Sequence, residues 1–386
     1  MAADLVRLRR DLHRMPEVAY EEHETTAFLV QAVERLGLVP VRPLATGLWV
    51  DIDPSGMRGG ERVLVRADMD GLPVEEATGL PFASRNQGRM HACGHDAHMA
   101  MALGALRLLS EHRDELQTGV RVLFQPAEEG GAGAQRMIDA GVLASVRAAV
   151  GLHVFAQLPE RVLHTGEVAV RTGPLMAAFD RLELIVRGRG GHGSMPHTTV
   201  DAIPVAAHIV VALQQVVARQ LNPQRAAVLT IGTIRGGFAP NVIAPEVRLS
   251  GTVRTLDEGT KAALRKAMDT IVRNTAAAFG AEATVEYRDG YPVLSNDAAV
   301  AAIAREAAVE IAGADHVVDG IDPVMAGEDF AYIAQAVPSA FLFLGVAPPG
   351  AEAVGNHDPH FSVDEESLPL GAAILASAAM RLSRRI

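Results

Sequence analysis

The sequence predicts an α/β domain that is interrupted by an inserted α+β domain, on three observations. Short apolar strands alternate with amphipathic helices through the first 177 residues. In the middle of the chain the order changes to strand, helix, strand, strand, helix, strand. From Asn296 onward helix and strand alternate again. Such alternation is typical of layered α/β domains, and the β-α-β-β-α-β order is typical of ferredoxin-like domains.

Hydrophobic periodicity predicts the elements of the first segment. The apolar residues between positions 27 and 36 fall on one helical face, and Gly37 follows as a stop signal. Short continuous apolar runs indicate buried strands. Strands are therefore predicted at 62–67, 120–124 and 148–152, with a helix at 97–112.

The remaining elements define the insertion and the return to the first domain. Strands are predicted at 180–187, 227–235, 246–254 and 282–287, with helices at 200–219 and 257–279. Helices at 297–311 and 367–380 then flank a strand at 340–345. Glycine, proline and polar residues cluster near 172–178 and 289–296, as expected of hinges. We therefore assign residues 1–177 and 291–386 to one discontinuous domain and residues 178–290 to the insertion.

Size and charge agree with two domains and exclude one class of function. The chain has 386 residues, more than the roughly 250–300 at which a single core usually stops growing. Its composition, 49% hydrophobic and 21% charged, is that of an ordinary folded protein. The formal net charge of -11 argues against nucleic-acid binding, which needs clustered lysine and arginine.

The sequence also predicts a soluble, cytoplasmic protein without a membrane partner. Cys93 is the only cysteine, so an intrachain disulfide is excluded. The N-terminus lacks the apolar core of a signal peptide. No uncharged apolar run is expected to reach the ~20 residues that span a bilayer. Residues 200–217 come closest, interrupted by Asp201, His208 and a pair of glutamines.

The densest group of chemically capable residues is the segment MHACGHDAHM at 90–99. Cys93 and His95 flank Gly94 just before a predicted helix, so a loop could direct both toward one metal ion. Thiolate and imidazole are good ligands for zinc and similar metals. A buried free cysteine beside surface histidines is the ordinary alternative, and His91 and His98 are expected to lie behind the ligands or at the surface.

Further candidates follow the predicted strands. Glu128 and Glu129 come directly after one strand, where one carboxylate could bind metal and the other move protons. His153 ends another strand, His357 lies in the loop NHDPHF, and Asp70 leaves a third strand. Each alone has an ordinary explanation, such as a solvated acidic turn or an Asp-Gly turn. Together they place metal-type residues at several strand ends of one domain, where α/β proteins form their sites.

These segments resemble the M20 metallopeptidase family, specifically its amidohydrolase branch of hippurate hydrolases, auxin-conjugate hydrolases and bacterial N-acyl-amino-acid hydrolases. The resemblance covers essentially the whole chain. The matching stretches are RADMDGLP, MHACGHDAHMA, QPAEEGGAGA, GLHV, GRGGHGSMPH, GTIRGGFAPNVI, SGTVRT, AGEDFA and NHDPHF. The chain departs from other branches at Asp68, where those branches have a histidine ligand, and in NVIAPEV, where the proline comes one place later than in the commoner NVIP.

The resemblance implies a site with two divalent metal ions, which would be Zn, Mn, Co or Ni. Cys93 would bridge the ions, with His95 and His153 completing one ion and Glu129 and His357 the other. Glu128 would be the general base, and Asp70 would orient the ligands. His192 and Asn241 of the inserted domain would stabilise the oxyanion of the reaction. The inserted domain would act as a lid and dimerisation domain, which implies a homodimer or higher homo-oligomer.

The function that the resemblance implies is hydrolysis of the amide bond of small N-acyl amino acids, such as acetyl or benzoyl conjugates. The products would be a carboxylic acid and a free amino acid. Three alternatives stay open at this stage. They are a di- or aminopeptidase of the same fold, a non-catalytic binding relative, and a thiol-dependent hydrolase with Cys93 as nucleophile.

Overall fold

The computed structural model describes residues 1–54, 60–350 and 352–385, and the chain divides into two units. The first unit comprises Met1–Leu175, Ser295–Asp322 and Asp329–Ile386. The second comprises Met176–Leu294 and Pro323–Glu328. The sequence division at 177/178 and 290/291 lies close to these bounds but leaves residues 323–328 in the first domain. Those residues belong to the second unit because Ala177 N–H donates to the carbonyls of Val324 and Ala326.

The α-helices of the described residues are α1 (Ala2–His13), α2 (His23–Arg35), α3 (His95–Glu111), α4 (Glu128–Gly131), α5 (Gly133–Asp139), α6 (Ala202–Gln215), α7 (Glu258–Ala278), α8 (Ala298–Ala312), α9 (Phe330–Ala336) and α10 (Ser367–Arg385). Within α4 the dihedral angles of Glu129 and Gly130 are not helical, so this element is an irregular turn.

The strands of the same residues are β1 (Pro40–Val41), β2 (Leu48–Ile52), β3 (Arg62–Asp68), β4 (Gly119–Gln125), β5 (Val146–Phe155), β6 (Gln157–Leu158), β7 (Arg161–Val162), β8 (Val168–Ala169), β9 (Gly173–Met176), β10 (Ala178–Arg187), β11 (Gly191–His192), β12 (Ala227–Gly236), β13 (Val242–Ile243), β14 (Glu246–Thr255), β15 (Glu282–Asp289), β16 (Leu294–Asn296), β17 (Val317–Val318) and β18 (Ser339–Gly345).

The first unit is built on an eight-stranded mixed sheet in the order β1-β2-β4-β3-β5-β18-β8-β17. Strands β3, β4, β5 and β18 are mutually parallel, and every residue of β3, β4 and β18 is buried. Burial on both faces explains why these strands are mainly apolar in sequence. Helix α10 packs against both α3 and α8. Because the four strands are parallel, their carboxyl ends lie at one edge of the sheet.

The second unit is a four-stranded antiparallel sheet in the order β12-β14-β10-β15, with α6 and α7 packed on it. Its elements follow the chain as strand, helix, strand, strand, helix, strand, as the sequence predicted. The buried core of this unit includes Leu184 of β10, Ile209 of α6 and Met268 of α7.

Residues 200–217, the apolar run of the sequence that comes nearest to a membrane span, contain α6. Together with the π-helical turn Val216–Gln220, the stretch Ala202–Gln220 is long and apolar enough to cross a membrane by length and composition. One face of this stretch is buried in the second unit's core, through residues such as Val205 and Leu213. A core helix of a folded domain passes the same test of length and hydropathy.

The predicted elements of both units are present, with bounds that differ by one to several residues. Helix α2 begins at His23 rather than at residue 27, and β5 extends the strand predicted at 148–152 to Val146–Phe155. Helix α10 continues to Arg385. The strands that the sequence did not predict are short, such as β6 and β7, or lie next to the sheet edge, as β2 does.

Candidate metal centre

The carboxyl ends of β3 and β4 bring the predicted acidic residues together. Asp68, the last residue of β3, lies opposite Gln125, the last residue of β4. Asp70 follows β3 by two residues, and Glu128 and Glu129 follow β4. Asp70 Oδ1 accepts the amide N–H of Glu128 at 3.0 Å, and Oδ2 accepts that of Glu129 at 2.9 Å. Asp70 therefore fixes the backbone of both glutamates.

The amino end of α3 brings Cys93 and His95 to the same place. Gly94, the N-cap residue, has φ 86°, in the left-handed region that glycine adopts most readily. A Cβ atom at this position would lie 2.4 Å from Val154 Cγ2. Only glycine fits this close approach to the end of β5. The approach places Cys93 Sγ 3.4 Å from Nε2 of His153.

The five predicted metal ligands lie in one cluster around Cys93. Ligand atoms of Cys93, His95 and Glu129 lie within 4.8 Å of one another. His153 joins this group through its contact with Cys93, and His357 Nε2 lies 3.1 Å from Glu129 Oε1. All of them except His357 and Glu129 are buried.

The hydrogen bonds of two histidines leave one nitrogen of each available for a metal. His95 donates Nδ1–H to the carbonyl of Asp70 at 2.9 Å, and His153 donates Nδ1–H to the carbonyl of Val154 at 2.9 Å. The Nε2 atom of each ring therefore faces the cluster. Orientation of a ligand histidine by a hydrogen bond to its second nitrogen is usual in metal sites.

One buried atom of the cluster points to a cation. Among the described residues, His95 Nε2 is buried and forms no hydrogen bond. Leaving a buried polar atom unpaired is unfavourable, and a divalent ion would pair it. The donor set of one thiol, imidazoles and a carboxylate suits zinc and related first-row metals. The residues present therefore fit a metal site.

The electrostatics of the cluster also favour a cation. Burial, and next the carboxylates of Glu129 and Glu128, raise the pKa of the Cys93 thiol well above its usual range. Burial alone would lower the pKa of His95, but the carboxylates of Asp68 and Asp70 outweigh it and raise this pKa to about 10. Negative charge is thus concentrated here, and a bound cation would compensate it while releasing the protons of the thiol and the imidazole.

His98 and His91 are both buried, which excludes the surface and leaves the other expected position, behind the ligands. His98 donates Nδ1–H to Asp68 Oδ1 at 2.6 Å, and its Nε2 accepts the N–H of Val154 at 2.9 Å. Both ring nitrogens of His98 are occupied, which leaves none for a metal. Burial lowers the pKa of His91 to about 3.

A buried ion network that sequence reasoning did not identify lies beneath the cluster. Arg66 donates to Asp68 Oδ2 at 2.7 Å and to Asp329 Oδ1 at 2.8 Å, and all three side chains are fully buried. The N–H of Asp329 donates to Glu128 Oε1 at 3.4 Å. The signal in the sequence was an arginine inside a buried apolar strand, because such a charge requires partners.

His192 and Asn241 lie in the second unit, next to each other in the ribbon formed by β11 and β13. His192 pairs with Val242, and Gly193 N–H donates to the carbonyl of Asn241 at 2.8 Å. Both residues are exposed. Ser194 holds the His192 ring, since its N–H and its Oγ lie 3.1 Å and 2.8 Å from Nδ1. Nε2 of His192 therefore remains available as a donor.

A cluster of thiol, imidazole and carboxylate groups at the edge of a sheet fits a metal-dependent hydrolase, and comparison with known proteins gives the family. The family model of Peptidase family M20/M25/M40 matches residues 64–381, so the chain belongs to this family. It is a metal-dependent amidohydrolase.

Three relatives illustrate the similarity. The chain is 42% identical to N-acetyl-L-cysteine deacetylase of Bacillus subtilis, over 98% of this chain and 88% of that protein. It is 37% identical to IAA-amino acid hydrolase ILR1-like 5 of Arabidopsis thaliana, over 98% and 86%. The solved structure of the YXEP protein of Bacillus subtilis, a dinuclear metal-binding peptidase, shares 34% identity with a TM-score of 0.87, covering 100% of this chain and 99% of that one.

Proposed function

We propose that this protein hydrolyses the amide bond of small N-acyl amino acids, releasing a carboxylic acid and a free amino acid. The observation that carries the proposal is the Cys93 cluster, whose member Glu129 directly follows Glu128 in the chain. The names of two relatives, a deacetylase of N-acetyl-L-cysteine and a hydrolase of IAA-amino acids, support the substrate class.

We assign five residues to two divalent ions, with Cys93 between them. His95 and His153 would hold one ion, and Glu129 and His357 the other. Bound divalent ions supply Lewis acidity that polarises the amide carbonyl and acidifies water. The presence of two ions is supported by the dinuclear character of the YXEP protein.

The residues of the chain would divide the remaining work. Glu128 would take the proton of the attacking water and deliver it to the leaving amine. Asp70 would hold the backbone of Glu128 and Glu129 through the two hydrogen bonds described above. His192 and Asn241 would donate hydrogen bonds to the oxyanion, and the exposed Nε2 of His192 supports this role.

The second unit, in this proposal, is a ferredoxin-like lid that also forms a homodimer or higher homo-oligomer. The order of its strands and helices supports the ferredoxin-like fold. Strand β12, at one edge of its sheet, supports self-association. Strand β12 is largely exposed, with apolar side chains such as Val228 and Ile234. Phe238, 78% exposed, lies two residues after the end of β12. Exposed edge strands readily pair with another chain.

A peptidase is the second candidate, because the YXEP protein is a peptidase of this family. A substrate panel separates the two. We expect the purified protein, supplied in turn with Zn, Mn, Co and Ni, to hydrolyse N-acetyl, N-benzoyl and indole-acyl amino acids faster than dipeptides with a free amino group. Faster release from the dipeptides, measured as free amino acid, would favour the peptidase.

Replacement of Cys93 tests the ligand assignment. We expect Cys93→Ser to bind less metal in elemental analysis, because a hydroxyl is a much weaker ligand than a thiolate. Ala92→Ser is the matched control, since it places the same hydroxyl one buried position earlier and removes no ligand. If Cys93→Ser retained two ions per chain and full activity, the bridging role would be wrong.

A further inference from the structure

The turn after β4 is held by side-chain carboxylates at three successive amide groups. The N–H of Ala127 donates to Glu22 Oε1 at 2.8 Å. The N–H groups of Glu128 and Glu129 donate to the two oxygens of Asp70, as described above. The two residues with proposed chemical roles therefore directly follow an amide that Glu22 binds.

Ala127 has a backbone conformation that needs this support. Its φ of 56° and ψ of 46° lie in the left-handed region, which residues other than glycine rarely occupy. Such conformations persist where the surroundings fix them, and they concentrate at functional sites. Both backbone groups of Ala127 are bound, since its carbonyl accepts the N–H of Gly133 at 3.1 Å while Glu22 accepts its own N–H.

Glu22 is itself rigidly placed. It is fully buried as the N-cap residue of α2, and its carbonyl accepts the hydroxyl of Thr26 at 2.6 Å. Its second carboxyl oxygen, Oε2, has no hydrogen-bond partner in the described part of the chain. Burial, and to a smaller extent the carboxylate of Asp70, raise the pKa of Glu22 to about 7. A protonated carboxyl group can still accept the N–H of Ala127 through Oε1.

We propose that Glu22 is a positioning residue of the hydrolytic centre. By binding the amide of Ala127 it fixes the left-handed turn, and the turn sets the directions from which Glu128 and Glu129 enter the cluster. The inference rests on the proposed function, in which Glu128 is the general base and Glu129 a metal ligand.

A second contact ties the same turn to the same N-terminal segment. The hydroxyl of Tyr20 donates to the carbonyl of Gly131 at 2.6 Å, and the guanidinium carbon of Arg136 lies 4.0 Å from the centre of the Tyr20 ring. A Cβ atom on Gly131 would lie 3.1 Å from Cε2 of Tyr20. The turn is thus packed tightly against residues 20–22, and loss of the Glu22 contact would be transmitted to Glu128.

Three substitutions test the role of the Glu22 oxygen. Glu22→Ala removes the acceptor, and Glu22→Asp withdraws it by one methylene, so both should lower kcat by about 10–100-fold, the range for residues that orient metal ligands. KM should change much less. Glu22→Gln keeps a neutral acceptor for the Ala127 N–H and should retain most of the activity.

Glu17→Ala is the matched control. Glu17 is also buried, and its carboxylate accepts the N–H groups of Glu24 and Thr25 in the first turn of α2 without contacting the turn at Ala127. It should lower the melting temperature as Glu22→Ala does but leave kcat per folded chain near the wild-type value. Equal loss of kcat in both variants, or wild-type kcat in folded Glu22→Ala, would overturn the proposal.

Metal affinity provides a readout that does not depend on the substrate. Glu22→Ala should raise the dissociation constant for added Zn or Mn by about tenfold, because Glu129 is displaced with the turn. If the wild-type protein bound metal but cleaved no N-acyl amino acid, the proposed function would fail. The dissociation constants for metal would still decide the role of Glu22. An unchanged dissociation constant would contradict that role.

Discussion

Glu128→Gln is expected to lower kcat for N-acyl amino acid hydrolysis by about 10²–10⁴-fold, the range for loss of a general acid–base group. Glutamine has nearly the same shape as glutamate but cannot accept the proton of water. The buried position of Glu128 and its contact with the N–H of Asp329 should be preserved, so the variant should fold normally. Steady-state kinetics with metal content measured on the same sample provides the test.

The neighbouring Glu129→Gln is the matched control. The amide of Glu129 is bound to Asp70 in the same way, but its carboxylate lies beside His357 and Cys93. We expect this variant to lose metal affinity first, with activity partly restored by excess metal. Should Glu128→Gln lose the metal and Glu129→Gln keep it, the two roles would be reversed.

His192→Ala is expected to lower kcat by about 10²–10³-fold, as for loss of one oxyanion donor, with metal content unchanged. His192 would bind the oxyanion, which forms only in the transition state, so KM should change little. His208→Ala, another exposed histidine of the second unit, is the control and should behave as wild type. Full activity of His192→Ala would remove this residue from the mechanism.

Subunit mixing tests whether His192 acts in its own chain or in a partner chain. If it acts in trans, inactive His192→Ala and inactive Glu128→Gln chains should regain activity after subunit exchange, because one site of each heterodimer is then complete. Exchange demonstrated by mass spectrometry without any recovery of activity would contradict action in trans.

The order of elements was predictable because the strands that form the centre of the first unit are buried on both faces. Strands β3, β4 and β18 are mainly apolar for that reason, and the helix predicted between β3 and β4 is present as α3. Short strands such as β6 and β13 carry too few residues for any periodicity to appear. Residues 323–328 join the second unit through backbone hydrogen bonds to Ala177, which the sequence does not encode as a local pattern.

Residue type and position at strand ends were enough to select the members of the candidate metal cluster, and the resemblance to the M20 family implied their roles. Cys93, His95 and Glu129 are potential ligands, and they follow or precede regular elements whose ends meet. The supporting residues were harder to find. Glu22 reads as a surface glutamate at the start of a helix, and only the fold shows that it is buried against Ala127. The role of Arg66 likewise depends on Asp329, which lies 263 residues away in the chain.

The most direct test of the two-metal amidohydrolase is titration of metal-free protein with Mn or Zn while hydrolysis of an N-acetyl amino acid is followed. Metal-free protein should be inactive, and the rate of hydrolysis should rise with added metal until two equivalents per chain are present. Full activity in the metal-free protein would contradict it and would favour Cys93 as a nucleophile.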